Sequence, residues 1–224
     1  MLVLGLDTST PAVTVAVGAV GPDGGVEVLA ERTEVAVNRH GELVAPMVAE
    51  VLAAAGATRR DLGAVAAGAG PGPFTGLRVG LVTVASLADA LDVPAYAACS
   101  LDAIAAQHSG ALVVATDARR REVYWSRYDA RGDRIEGPQV QRPADLAATL
   151  PAGSVIAGAG GLLYRDVFAD LAVEEGAPYP AAAALLRLVA PRAAAGAPAD
   201  PLTPLYLRRP DAVPPGPPKA VTPA

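Results

Sequence analysis

Three stretches of this chain carry residue types that could do chemistry. Asp7-Thr8-Ser9-Thr10 closes an apolar run and puts a carboxylate and three hydroxyls at a strand end. Such a group can hold phosphate oxygens through hydroxyls and backbone amides while the carboxylate orients magnesium-bound water. The alternative is that the hydroxyls only satisfy the turn's own backbone. The second stretch is Gly68-Ala69-Gly70-Pro71-Gly72-Pro73-Phe74-Thr75-Gly76-Leu77-Arg78-Val79-Gly80. Its glycines permit sharp turns and close approach, its prolines stiffen the loop, and Thr75 is placed to cap a following helix. A glycine-rich loop before a helix can also hold an anion. No Walker-type lysine accompanies it, since the sole lysine is Lys219, so a nucleotide site at Asp7, Thr8, Ser9, Gly70 and Gly72 is expected to be vestigial. The third stretch, Arg119-Arg120-Arg121, is the single basic run. It suits contact with nucleic-acid phosphates within a complex, or pairing with acids such as Glu122.

Other reactive types are sparse. No nucleophile stands near His40 in the sequence, so a structural or interface role is assigned to it ahead of base catalysis. His108 sits at a helix end, where an imidazolium suits the dipole. Cys99 has apolar neighbours and reads as a buried small residue. One cysteine excludes an intramolecular disulfide and a cysteine-rich zinc site. Hydrophobic residues make up 52% of the 224 and charged residues 18%, the balance of a chain able to bury a sizeable core. Aromatics at 4% leave little for stacking bases, and a net charge of −5 argues against gripping nucleic acid alone. The first residues carry no basic leader and no apolar run looks long enough to cross a bilayer. The expectation is a cytoplasmic protein with no membrane contact.

The elements that must position these residues repeat. Leu2–Leu6, Ala12–Val20 and Val26–Arg32 read as strands, Glu42–Ala55 as a helix, Ala64–Ala69 as a buried strand, then a glycine-proline turn and a helix from Thr75 to Leu91. Pro46 is expected in or near the first turn of its helix. The pattern recurs with strands at Ala111–Thr116, Glu122–Asp129 and Arg134–Val140, a helix at Pro143–Leu150, and Val155-Ile156-Ala157-Gly158-Ala159-Gly160, which echoes Val65 to Gly70. Asp7 and Asp117 close the first strand of each half. The expected organisation is a lobe over 1–106 bearing pairing helices, a smaller lobe over 107–210, and a flexible proline-rich tail over 211–224.

The glycine-proline block, with Asp7-Thr8-Ser9-Thr10, His40-Gly41-Glu42-Leu43 and Asp117 to Tyr124, resembles the TsaB (YeaZ) family over nearly the whole chain to about Arg209. The resemblance implies an α/β fold of the actin-like ATPase, ribonuclease H-like class with two duplicated βββαβα lobes. It implies a non-catalytic pairing subunit needed to attach threonylcarbamoyl to N6 of the adenosine beside the anticodon in tRNAs reading codons that begin with A. Its implied partners are the catalytic paralogue TsaD and the ATPase TsaE, with tRNA met only through the complex, ATP or ADP at the complex junction, no cofactor of its own, and a homodimer when alone. Catalytic paralogues carry a His-His-Leu-Glu-Gly-His segment, of which the two histidines four residues apart, the second and the last, hold a metal. Here the matching stretch is Cys99-Ser100-Leu101-Asp102-Ala103-Ile104, with Ser100 and Ile104 at the ligand positions, so neither metal binding nor transfer chemistry is expected. The helix over 75–91 is apolar almost all round, which calls for a second neighbour. The partner interface is accordingly expected at His40, Leu43, Met47, Val51, Arg78, Leu81, Val84 and Ala88, and contact with tRNA at Arg119, Arg120 and Arg121. A small-molecule kinase of the same fold and a metallopeptidase are the competing readings.

Overall fold

The computed structural model describes residues 1–208; the expected tail over 211–224 lies outside them. Strands β1 (Leu2–Asp7), β2 (Ala12–Val20) and β3 (Val26–Val35) form an antiparallel meander. β3 runs three residues past its expected end because Val35 still pairs with Ala12. It is an edge strand with both faces partly wet, so its apolar alternation fades before its hydrogen bonds do. Helix α1 (His40–Ala54) follows, then β4 (Leu62–Gly68), helix α2 (Phe74–Leu91) and β5 (Ala95–Ala98). Pro46 lies in the second turn of α1, one turn later than expected. Pro73, not Thr75, stands at the N-cap of α2, and no side chain caps that end.

The second half repeats the first. After the short α3 (Ser100–Ala105) come β6 (Leu112–Asp117), β7 (Val123–Tyr128), β8 (Arg134–Gln141), α4 (Pro143–Ala147), β9 (Val155–Ala157), α5 (Ala159–Leu163) and β10 (Ala172–Val173). The first sheet has the order β3-β2-β1-β4-β5 and the second β8-β7-β6-β9-β10. In each, two antiparallel pairings are followed by two parallel ones. The equivalence reaches single hydrogen bonds. The carboxylates of Asp7 and Asp117 each accept the backbone N–H two residues on, at 2.7 and 2.8 Å.

Period-two alternation sorts the first sheet into two cores. Leu4, Leu6, Val13, Val15 and Val17 face α1 and α2. Val3, Ala16, Ala64 and Ala66 face the last helix, α6 (Ala182–Ala194). That helix lies within 107–210 in sequence but covers the sheet of 1–106. Its N-terminal amides are held by that sheet: Thr14 Oγ1 accepts from Ala182 N–H at 2.7 Å and Glu31 from Ala183 N–H at 2.9 Å. Reciprocally, Leu101 and Ile104 of α3 pack on Leu112, Val114 and Tyr128 of the second sheet. Each sheet thus borrows a helix from the other half, which knits the lobes into one body.

Helix α2 is 18 residues long with a mean hydropathy of 1.4, enough by length and composition to cross a bilayer, contrary to the expectation that no such segment exists. Its Leu77, Gly80, Leu81 and Val84 are nevertheless packed into the first lobe, as in the core helix of a folded domain.

Candidate functional site

The residues proposed for a phosphate site do converge. β1 delivers Asp7 to the end of the central strand, and the glycine-proline loop after β4 folds onto it. Glycine is required there by close approach: a Cβ on Gly72 would lie 2.2 Å from the Ser9 carbonyl oxygen, and one on Gly68 would lie 1.7 Å from the Asp7 carboxylate. The result is closure. Ser9 N–H and Ser9 hydroxyl both donate to Asp7 Oδ1 at 2.7 Å, and the Ser100 hydroxyl donates to Oδ2 at 2.5 Å. Thr8 hydroxyl donates to Gly76 O at 2.7 Å and accepts Gly80 N–H at 2.9 Å. Gly70 N–H is held by Ser100 Oγ at 3.1 Å. Asp7 is 0% exposed, and Thr8, Ser9, Gly70 and Gly72 are buried with it. The residues expected to form a vestigial nucleotide site thus come together but turn inward on one another. These groups satisfy one another inside the packed loop, so a phosphate would have to break bonds already made.

Burial is the main reason the Asp7 carboxyl sits above its ordinary value, partly offset by the hydrogen bonds from Ser100 and Ser9. A carboxyl raised on folding binds its proton more tightly in the folded chain. Its stabilising share is complete below the unfolded value of 3.8 and is lost as pH rises through the raised one. Asp7→Asn removes that loss. The melting temperature of the variant minus that of the parent should increase from pH 4 upward until Asp7 is ionised in the folded chain, then level off, on top of a constant offset from the altered Ser100 bond. Thermal melts across this range test it; a flat difference would show an ordinary carboxylate.

Ser100 and Ile104 meet different fates. Ser100 is the partner of Asp7, while Ile104 is fully buried against the second sheet. Among the described residues no three His, Cys, Asp or Glu side chains gather as a metal site. His40 donates through Nε2 to the Thr10 carbonyl at 2.7 Å, tying the start of α1 to the Asp7 turn. Cys99 is buried, and burial pushes its thiol up to about 12, far from a nucleophile's range. His108 lies just past α3, with Nε2 buried and without a partner among the described residues.

The expected partner interface needs the largest correction. Leu43, Met47, Val51, Leu81 and Val84 are buried in the first lobe's own core, against β1, β2 and β4, and cannot face a second chain. An apolar helix stripe satisfies a sheet before it satisfies a partner. Ala88 is half-buried, and Arg78 is exposed. Among the residues that α1 and α2 present outward are Ala45 and Ala49 on one helix and Val82 and Ala85 on the other, with Val82 62% exposed, alongside the polar Glu42, Glu50, Ser86 and Asp89. Between the helices runs a groove of about 490 Å³ lined by Ala45, Ala49, Leu52, Thr83 and Leu87 among others.

Two residues of the closing segment 200–208 escaped notice in the sequence. Tyr206 stacks on Phe74 with ring centroids 5.2 Å apart and accepts from Arg78 Nε at 2.7 Å, while the Arg78 guanidinium lies 3.8 Å over the Phe74 ring. Arg208 donates to the Ala118 carbonyl at 3.1 Å and pairs with Glu122. The segment is pinned along its way, Asp200 N–H donating to Ala95 O and Leu205 N–H to Ala69 O at 2.8 Å each. No local pattern marks such a strap, because, apart from Arg192 beside Asp200, the partners that pin it are more than 80 residues away. The Arg119–Arg121 turn it reaches is exposed and opens on a second cavity of about 490 Å³. Arg119 lines that cavity together with Thr8, His40, Phe74 and Thr75.

A doubled sheet with an acid at the end of each central strand and a glycine turn folded against it defines the actin-like ATPase fold, here with the loop after its first strand closed on itself. The comparisons narrow the class. A family model described as TsaD, tRNA N6-adenosine threonylcarbamoyltransferase, matches residues 27–169. YeaZ from Pseudomonas aeruginosa superposes with a TM-score of 0.75 at 31% identity, covering 92% of this chain and 99% of that one. An uncharacterized protein of Mycobacterium tuberculosis is 47% identical over 95% of this chain and 94% of its own length. The tRNA threonylcarbamoyladenosine biosynthesis protein TsaB of Escherichia coli is 35% identical, and the aligned stretch spans 57% of this chain and 55% of that protein, about half of each. The chain belongs to the TsaB (YeaZ) family and has a role in tRNA threonylcarbamoyladenosine biosynthesis.

Proposed function

We propose that the chain is the non-catalytic pairing subunit of the machinery that places threonylcarbamoyl on N6 of adenosine beside the anticodon of tRNAs reading codons that begin with A. Its direct partner is the catalytic paralogue TsaD, and the ATPase TsaE joins the pair. The observation that carries this reading is the outward face of α1 and α2. It exposes Ala45, Ala49, Val82 and Ala85 on a segment that the transferase family model also covers. Small apolar residues let two helix pairs approach closely, and a paralogue with the same pair can meet them about a pseudo-two-fold axis. Two such faces suffice for about 800 Å² per partner. A second copy of this chain can occupy the same face when the paralogue is absent.

The closed Asp7 loop supports the non-catalytic half of the reading. Its carboxylate and hydroxyls are committed internally, so any ATP or ADP belongs to the junction with the partners. The same closure disfavours the kinase, and Ser100 and Ile104 at the ligand positions disfavour the metallopeptidase. The cellular setting of this role is the cytoplasm, where tRNA is modified.

Reconstitution tests the proposal. TsaD, TsaE, the threonylcarbamoyl donor and unmodified tRNA should yield modified adenosine at a rate at least about tenfold higher with this chain than without it, and this chain by itself should yield none. Equal rates with and without it, or turnover by the chain unaided, would remove the proposal.

A further inference from the structure

Among the exposed residues of α2, Phe74, Arg78, Val82, Ala85 and Asp89 fall on one line at helical spacing. Val82 and Ala85 make the middle of that line apolar. A charge stands on either side, Arg78 towards the N-terminus and Asp89 towards the C-terminus. The two are three helical turns apart, about 16 Å along the axis, too far to meet each other. Among the described residues neither is in an ion pair. Helix α1 differs, since its exposed Glu42 and Glu50 are taken by Arg39 and Arg32. The needs of α2 do not explain its own charges. Asp89 lies in the last turn, where a carboxylate meets the negative end of the dipole, and the first turn holds no acid to answer Arg78. Arg78 is also held in place. Its guanidinium lies 3.8 Å over the Phe74 ring and its Nε donates to the Tyr206 hydroxyl at 2.7 Å. A guanidinium fixed in this way loses little freedom when it meets a carboxylate.

We propose that α2 packs antiparallel on α2 of a second copy of this chain, about a two-fold axis level with Thr83 and Val84, with Arg78 of each copy on Asp89 of the other. Turned end for end, the line of side chains complements itself. Arginine falls on aspartate at both ends, and Val82 falls on Ala85 at the centre. A parallel arrangement would set Arg78 on Arg78 and Asp89 on Asp89. The result is an apolar centre with a charged rim, in which the charges fix direction and register more than affinity. This inference rests on the pairing reading for its choice of face, and adds the occupant and the register.

The test uses the whole chain, with self-association followed by analytical ultracentrifugation and folding by circular dichroism. The parent should be dimeric at micromolar concentration. Asp89→Arg alone sets two cations against each other at both ends, and Arg78→Glu alone sets two carboxylates. Each should stay folded and weaken the dimer at least about tenfold. Mixed in equal amounts, the two variants restore opposite charges at both ends, so a mixed dimer should form within about threefold of the parent affinity. A role for Arg78 confined to its own chain, such as holding Tyr206, could not be rescued by a change in another molecule. A monomeric parent overturns the proposal, as do single variants that dimerise like the parent, or a mixture no tighter than the separate variants. A monomeric parent that still binds the catalytic paralogue would give the face to that partner alone. A dimer rescued by mixing, in a chain that forms no complex with the paralogue, would uphold this inference and remove the pairing reading.

Discussion

Gly72→Ala is expected to cost about 3 kcal/mol or more, at the top of the range for overpacking, because the added methyl meets backbone and not a yielding side chain. The Cβ would lie 2.2 Å from the Ser9 carbonyl oxygen and 2.9 Å from two further Ser9 backbone atoms. Ser9 cannot retreat, since its N–H and hydroxyl are both committed to Asp7. For a domain of this size the loss should appear as a fall in melting temperature of roughly 6–12 °C, or as insoluble protein. Gly41→Ala is the matched control. It sits in the first turn of α1 with nothing within 4 Å of where the methyl would sit and no left-handed backbone, so the same chemical change should leave stability equal or slightly higher. A Gly72→Ala protein that melts with the parent would mean that the glycine-proline loop does not rest on the Asp7 turn, and the closed site would have to be abandoned.

The second large effect separates two neighbours on one helix. Val84→Glu puts a carboxylate where exposure is 0%, among Leu4, Leu6 and Val65 on the inner side of α2, and should cost about 4 kcal/mol or more, enough to unfold a marginal domain. Val82→Glu, two residues earlier, lands on the outer face and should leave the melting temperature within about 2 °C. Pairing should behave oppositely. Val82→Glu buries a charge in the proposed helix-pair interface and should weaken association with the catalytic paralogue by at least about 2 kcal/mol, some thirtyfold. Calorimetric titration of the partner into each folded variant measures this. Should Val82→Glu pair as tightly as the parent, the outward face of α1 and α2 is not the docking surface.

The amino-acid sequence by itself determined most of the elements, though not α3, β10 or α6, together with the duplication and the family. Each of these is written in local periodicity and motif order. Ala12–Val20 reads as a strand from alternation alone, and the echo of Val65–Gly70 in Val155–Gly160 anticipates two sheets of the same order. The tertiary structure decided three things. It decided which side of α1 and α2 is free, because a stripe of Leu43, Met47, Leu81 and Val84 looks the same in sequence whether a sheet or a partner covers it, and the sheet, tethered in the same chain, takes it first. It decided the state of the Asp7 loop, because the side chain that completes its closure, Ser100, lies 93 residues away and appears locally only as a lost metal ligand. And it decided how the arginine turn is held, because Arg208 reaches Ala118 across 90 residues of chain, a distance over which hydropathy and spacing carry no signal.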